Sequence, residues 1–181
     1  MRFLLLGLFV LATLLVDPTV EPPEDAQRKA VKAVTKVGGV IIRDQATRSR
    51  PVVAVTFVIP RLDGTANLKE LVAFEELRTV SIVGTKITVA GMMQLARLKA
   101  VRTLHLHDTK LENGCLKELA TMTWLRSLEL SGVHLTDAGA KELATLKDLR
   151  WLNLSQNDVT EAGIKGLVGC DLPYAQIIQQ F

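Results

Sequence analysis

Aromatic residues are scarce in this chain, at 4% of 181 residues. A core must then be filled with aliphatic side chains, and a surface that stacks nucleic-acid bases has little to work with. Cysteine is nearly missing. Cys115 and Cys170 are the only two, too few for a disulfide framework. They fall at different places in a repeated pattern, so their Cα atoms are expected to lie beyond the roughly 7 Å reach of a bridge. Both are read as free and buried. An excess of one charge is lacking as well, since the formal net charge is only +3. Motifs with known chemistry are absent: no HExxH, GxSxG, GxGxxG, P-loop or CxxC occurs. No catalytic site, metal or other cofactor is expected, and a nucleic-acid partner is not favoured.

Long apolar runs are missing except at the start. Residues 3–16 form one after Arg2. The run suits a secretory signal and is short for a membrane span. No A-x-A cleavage site follows it; Asp17-Pro18 comes next. Residues 1–16 are therefore read as a signal peptide, with an uncleaved anchor over 3–16 as the alternative. The expected location is exported, periplasmic or extracellular. Membrane attachment is expected only if the segment stays on.

What the chain has in abundance is a beat of 24 residues. Residues 77–100, 101–124, 125–148 and 149–172 repeat one pattern without a gap. Position 4 of each unit is Val80, Leu104, Leu128 or Leu152, and position 6 is Ile82, Leu106, Leu130 or Leu154. Apolar residues two apart, with mostly polar neighbours, describe a strand with one buried face. Position 11 (Ile87, Leu111, Leu135, Val159) is apolar again. The spacing then changes to steps of three at positions 16, 19 and 22, which puts one stripe on a helix. Thr88, Thr136 and Thr160 stand where a helix start needs acceptors; Asn113 follows one place later in the odd copy. Gly91, Gly139 and Gly163 at position 15 leave room for close helix packing, with Cys115 there in the odd copy.

One unit cannot bury both stripes alone. Stacked units can, as a parallel sheet backed by a layer of helices. Strands stack at about 4.8 Å and helices at about 10 Å, so the stack bends with its strands inside.

The combination LxxLxL, an apolar position 11 and then TDAG resembles the leucine-rich repeat. Its TDxGxxxL tail is similar to the ribonuclease-inhibitor type and to short exported bacterial versions. The resemblance covers about residues 52–172. It implies an α/β leucine-rich-repeat solenoid, curved, with parallel strands on the concave face and helices on the convex face. It also implies Asn or Cys at position 9, where this chain has Thr85, Thr109, Val133 and Asn157.

Residues 17–25 read as a proline-rich acidic linker, and 26–50 as an N-terminal helix–strand cap. The cap helix is expected over 26–37, with Ala26, Ala30, Ala33, Val34 and Val37 on one stripe, and its strand at Val40, Ile41 and Ile42. Residues 51–181 hold one degenerate repeat, four full ones and a C-terminal tail with a strand near 175–178.

Positions 3, 5 and 7 are expected to point outward on the inner face, the binding surface of such a solenoid. They read Ala54, Thr56 and Val58; Thr79, Ser81 and Val83; Thr103, His105 and His107; Ser127, Glu129 and Ser131; and Trp151, Asn153 and Ser155. Trp151 is either an exposed anchor or packed under the C-terminal tail. His105, His107 and Glu129 are metal-ligand types, but strand spacing separates the two imidazoles by about 7 Å. With Glu129 beside His105, a His–Glu hydrogen bond on a solvated face is the plainer expectation. Position 2 is Arg78, Arg102, Arg126 and Arg150, read as a solvated sheet edge unless a polyanion bridges it.

The implied function is non-catalytic binding of a protein, or another macromolecule, through the concave face. The alternative is a structural, self-assembling envelope protein that associates through an open solenoid end. Either a monomer or weak self-association is expected.

Overall fold

In the computed structural model, residues 23–58, 68–168 and 176–178 are described. Helix α1 (Pro23–Lys36) and strand β1 (Val40–Arg43) come first, then β2 (Val52–Val58) and a 3-10 turn at Leu68–Ala73. The full repeats follow in order. The first gives β3 (Thr79–Val83), β4 (Lys86–Ile87) and α2 (Val89–Leu95); the second gives β5 (Thr103–His107), β6 (Lys110–Leu111) and α3 (Cys115–Leu119). The third gives β7 (Ser127–Ser131), α4 (Asp137–Glu142) and a 3-10 turn at Leu143–Thr145. The fourth gives β8 (Trp151–Asn153) and α5 (Glu161–Val168), and β9 (Gln176–Ile178) ends the set.

The main sheet runs β1-β2-β3-β5-β7-β8-β9, in chain order. From β2 onward every pairing is parallel, and equivalent repeat positions sit side by side. Val80, Leu104, Leu128 and Leu152 stack in one fully buried row, and Ile82, Leu106, Leu130 and Leu154 in another. That is the outcome the 24-residue beat demands, because only neighbouring coils can hide those side chains. The helix stripe closes the core from the other side with Met92, Leu95, Leu119, Ala140, Leu143 and Leu167.

The N-terminal helix and strand form, and the helix bounds differ from the sequence reading. The helix starts at Pro23, inside the stretch read as linker. Proline suits a first helical turn, where its missing N–H is not needed, and Glu24 and Asp25 favour the positive end of the helix. Strand β1 pairs antiparallel with β2, with Val40 opposite Thr56 and Ile42 opposite Ala54. Ala30 and Val34 are fully buried, so the expected stripe does seal the first coil. The tail strand forms at β9 and adds to β8 in register, Trp151 beside Gln176. Cys115 is free and buried; Cys170 lies outside the described residues.

Turns after the strands share a requirement that periodicity hides. Position 8 is Gly84, Asp108, Gly132 or Gln156, and all four have positive φ. Glycine takes that conformation freely, whereas Asp108 and Gln156 adopt it at some strain. Close helix packing at position 15 is also visible. A Cβ on Gly139 would come within 2.7 Å of Leu116 Cδ1 on α3 and of Leu135 Cδ1.

Position 9 is served by bonds between coils as well as within them. Thr109 donates its hydroxyl to the carbonyls of Ile82 at 3.2 Å and His107 at 3.0 Å. Val133 has no polar side chain to offer, and Asn157 of the next coil does the work. Its Oδ1 accepts from Val133 N at 3.1 Å and Leu135 N at 2.9 Å. Its Nδ2 donates to the carbonyls of Leu130, Leu154 and Ser155.

Candidate functional site

The inner face of the sheet is an array of lateral rows set by strand register. One row runs Ala54, Thr79, Thr103, Ser127, Trp151. A second runs Thr56, Ser81, His105, Glu129, Asn153, and a third Val58, Val83, His107, Ser131. Thr79, Ser81, Thr103, His105, His107, Ser127, Glu129, Trp151 and Asn153 are each half-buried. Flanked by neighbours about 4.8 Å away on each side, a strand side chain can expose little but its tip. Ser155 lies past the end of β8 and is also half-buried.

Ser131 is the exception. Its residue is only 3% exposed, so it is no part of an open surface. The following turn folds over it, and its hydroxyl donates to Gln156 Oε1 at 3.3 Å. Asn153 is likewise engaged at one end, since its Oδ1 accepts from Ser155 N at 2.9 Å and Ser155 Oγ at 2.6 Å.

Trp151 reaches across β7 to His105, ring centroids 6.4 Å apart at 62°. An edge-on aromatic pair of this kind contributes about 0.5–1.5 kcal/mol. His105 and Glu129 pair in register as expected. The Glu129 carboxylate instead lies 3.8 Å from His107 Nδ1, and Asp108 Oδ2 lies 3.3 Å from His107 Nε2. A His–Glu contact thus forms through His107, whose ring lies between two carboxylates. Among the described residues no group of three or more His, Cys, Asp or Glu side chains is placed to share a metal ion.

Sequence reasoning did not place Val40 and Ile42 on this face. The antiparallel pairing of β1 sets them beside Thr56 and Ala54, and they are 56% and 51% exposed. With Val58 at 61% they make the N-terminal end of the face apolar. An antiparallel return leaves no mark on a run as short as Val40-Ile41-Ile42, and Asp108, a turn residue, carried no signal either.

Likenesses to known proteins are partial. The family described as Leucine Rich repeat matches residues 121–144, one period of the pattern. No curated protein matches the chain. Solved structures that resemble it include an internalin from Listeria monocytogenes, 21% identical over 62% of this chain and 38% of that one, TM-score 0.41. A leucine-rich-repeat protein of Leptospira interrogans is 25% identical over 65% of this chain and 28% of its own length, TM-score 0.46. The leucine-rich-repeat ectodomain of a receptor kinase from Arabidopsis thaliana is 15% identical over 86% and 91%, TM-score 0.48. The chain spans well under half of the two bacterial proteins. Sheet order, register and the repeat match together make the fold a leucine-rich-repeat solenoid.

Proposed function

We propose that the chain is an exported, non-catalytic binding module that holds a protein partner against its concave face. The observation that carries the reading is Trp151. Its indole stands half-buried on an open strand face, its edge-on ring partner being His105, with polar tips in register around it. Tryptophan is enriched among the few residues that dominate binding energy at interfaces. Around it, Thr79, Ser81, Thr103, His105, His107, Ser127, Glu129, Asn153 and Ser155 offer donors and acceptors on a rigid frame. Rigidity favours association because little side-chain and loop freedom remains to be lost. Val40, Ile42 and Val58 extend the surface with apolar area at one end.

Trp151→Ala tests it. Wild type and variant are immobilised and exposed to an envelope fraction, and captured proteins are quantified. A partner held by wild type is expected to bind the variant about thirty-fold more weakly, as for a central interface residue. Equal capture by a variant with an unchanged melting temperature would remove Trp151 from the interface.

Export rests on the apolar residues 3–16 behind Arg2. No helix among the described residues is long and apolar enough to cross a membrane. N-terminal sequencing of the mature protein is expected to start downstream of this run. An intact Met1 on protein from a soluble cytoplasmic fraction would sink the assignment.

A further inference from the structure

The first edge of the sheet, where each helix returns to the next strand, carries a row of arginines: Arg78, Arg102, Arg126 and Arg150. Their backbones bond directly from coil to coil. Arg102 N donates to Arg78 O, Arg126 N to Arg102 O and Arg150 N to Arg126 O, each at 2.8 Å. The side chains therefore spring from a backbone ladder with a step of about 4.8 Å. One rung meets a carboxylate within the chain, and another is engaged there through its Nη1. Arg78 pairs with Glu76 at 3.2 Å, and the Arg102 guanidinium donates to the carbonyls of Lys99 and Val101 at 2.7 and 3.1 Å. Arg126 and Arg150 are exposed and have no side-chain partner among the described residues. A depression of about 320 Å³ lies along the row, lined by Glu76, Arg78, Ala100, Arg102 and Arg126. Like charges on adjacent rungs repel, and an anion seated beside them would relieve that repulsion.

We propose that this ladder binds an acidic α-helix presented by a partner protein, with carboxylates of one helix face seated on Arg102, Arg126 and Arg150. Spacing selects the helix. Side chains at i, i+3 and i+4 lie about 5–6 Å apart, close to the ladder step of about 4.8 Å. From i to i+7 a helix rises about 10.5 Å, and the two ladder steps from Arg102 to Arg150 cover about 9.6 Å, a gap that long arginine side chains absorb. Same-face side chains of an extended strand recur every 6.6–6.8 Å or so and lose register after one step. Single-stranded nucleic acid wants aromatic platforms between its basic contacts. Trp124, the aromatic residue on this edge, is already covered by Lys99, whose Nζ sits 3.5 Å from the ring centroid. The inference concerns a surface beside the concave face and does not depend on Trp151.

The test uses the full chain and a labelled peptide of about 20 residues with glutamates at i, i+4, i+7 and i+11. A composition-matched isomer carries its glutamates at alternating positions. Anisotropy titration at low salt is expected to show the helical pattern binding about ten-fold more tightly than the isomer. Arg126→Glu combined with Arg150→Glu is expected to abolish that preference without lowering the melting temperature, since both side chains are exposed. Trp151→Ala is expected to leave peptide binding unchanged, which separates this surface from the concave one. Equal binding of both isomers, tighter binding of an oligothymidylate, loss of peptide binding in Trp151→Ala, or no binding at all would each overturn the proposal.

Discussion

Asn157 shows how one side chain holds two coils together. It satisfies two backbone N–H groups of the preceding coil and donates back to three carbonyls. Replacing it with alanine strands several partly buried groups at once. Each such orphan costs about 1–3 kcal/mol, and relaxation and water recover part of it, so Asn157→Ala is expected to destabilise by about 2–3 kcal/mol. A urea midpoint unchanged from wild type would show that the neighbouring turns rehydrate freely. Position 9 was legible as a place where turn carbonyls need a donor. The reach of Asn157 across to Val133 was not, because a linear repeat shows equivalence and not who serves whom. Ser131 was misplaced for a related reason: alternation assigns a side, and the Gln156 turn that covers it comes 25 residues later. His105 and Glu129 were correctly set side by side, but a pairing rule cannot foresee a tryptophan two strands away claiming the ring.

At the level of elements, the helices are short and owe much of their definition to neighbours. Thr88 caps α2 as its sequence position suggests, accepting from Gly91 N at 3.2 Å. Thr136 makes no side-chain cap bond at α4. Gly114 stands at the start of α3 with positive φ and no cap, so Asn113 does not serve there. Acidic residues from adjacent coils fill in. Glu112 accepts from Val89 N at 3.2 Å and lies 3.3 Å from Lys86 Nζ. Asp137 accepts from both Thr160 N and Thr160 Oγ1 at 2.7 Å. Those two Thr160 bonds hold the Asp137 carboxyl below its ordinary range. The Val89 amide first, and Lys86 next, do the same for Glu112. A carboxyl depressed in the folded state stabilises above its unfolded pKa, and that contribution fades as pH falls through the folded value. The wild-type melting temperature is therefore expected to drop below about pH 4, in the usual carboxylate range and beneath. Asp137→Asn is expected to melt slightly lower at neutral pH and to show a shallower acid slope. An acid slope identical to wild type would mean that Thr160 finds an equal partner in water. Glycine at position 15 was fully readable, because a missing side chain in a helix stripe has few other uses. The cross-coil carboxylates were not, since Asp137 sits in a generic first-turn position.

For the molecule as a whole, the repeat beat carried most of the architecture. Strand order, register, the two buried rows and the layer of helices all follow from it, because units that cannot close alone have only their neighbours to close against. The ends escaped it. Capping segments are atypical by necessity, and an antiparallel return at β1, with Val40 and Ile42 left on the concave side, has no precedent in the four regular copies. The concave face was readable as a set of outward positions, while its internal contacts depended on which ring leans on which.

Sheet order in strict sequence has a mechanical corollary. Tension applied from the C-terminal side meets the coils one after another, since the described strands neighbour each other in chain order. Such a chain should unzip like a pulled row of knitting, one loop per event. Each event would release about 80 Å of contour from 24 residues of unravelled backbone.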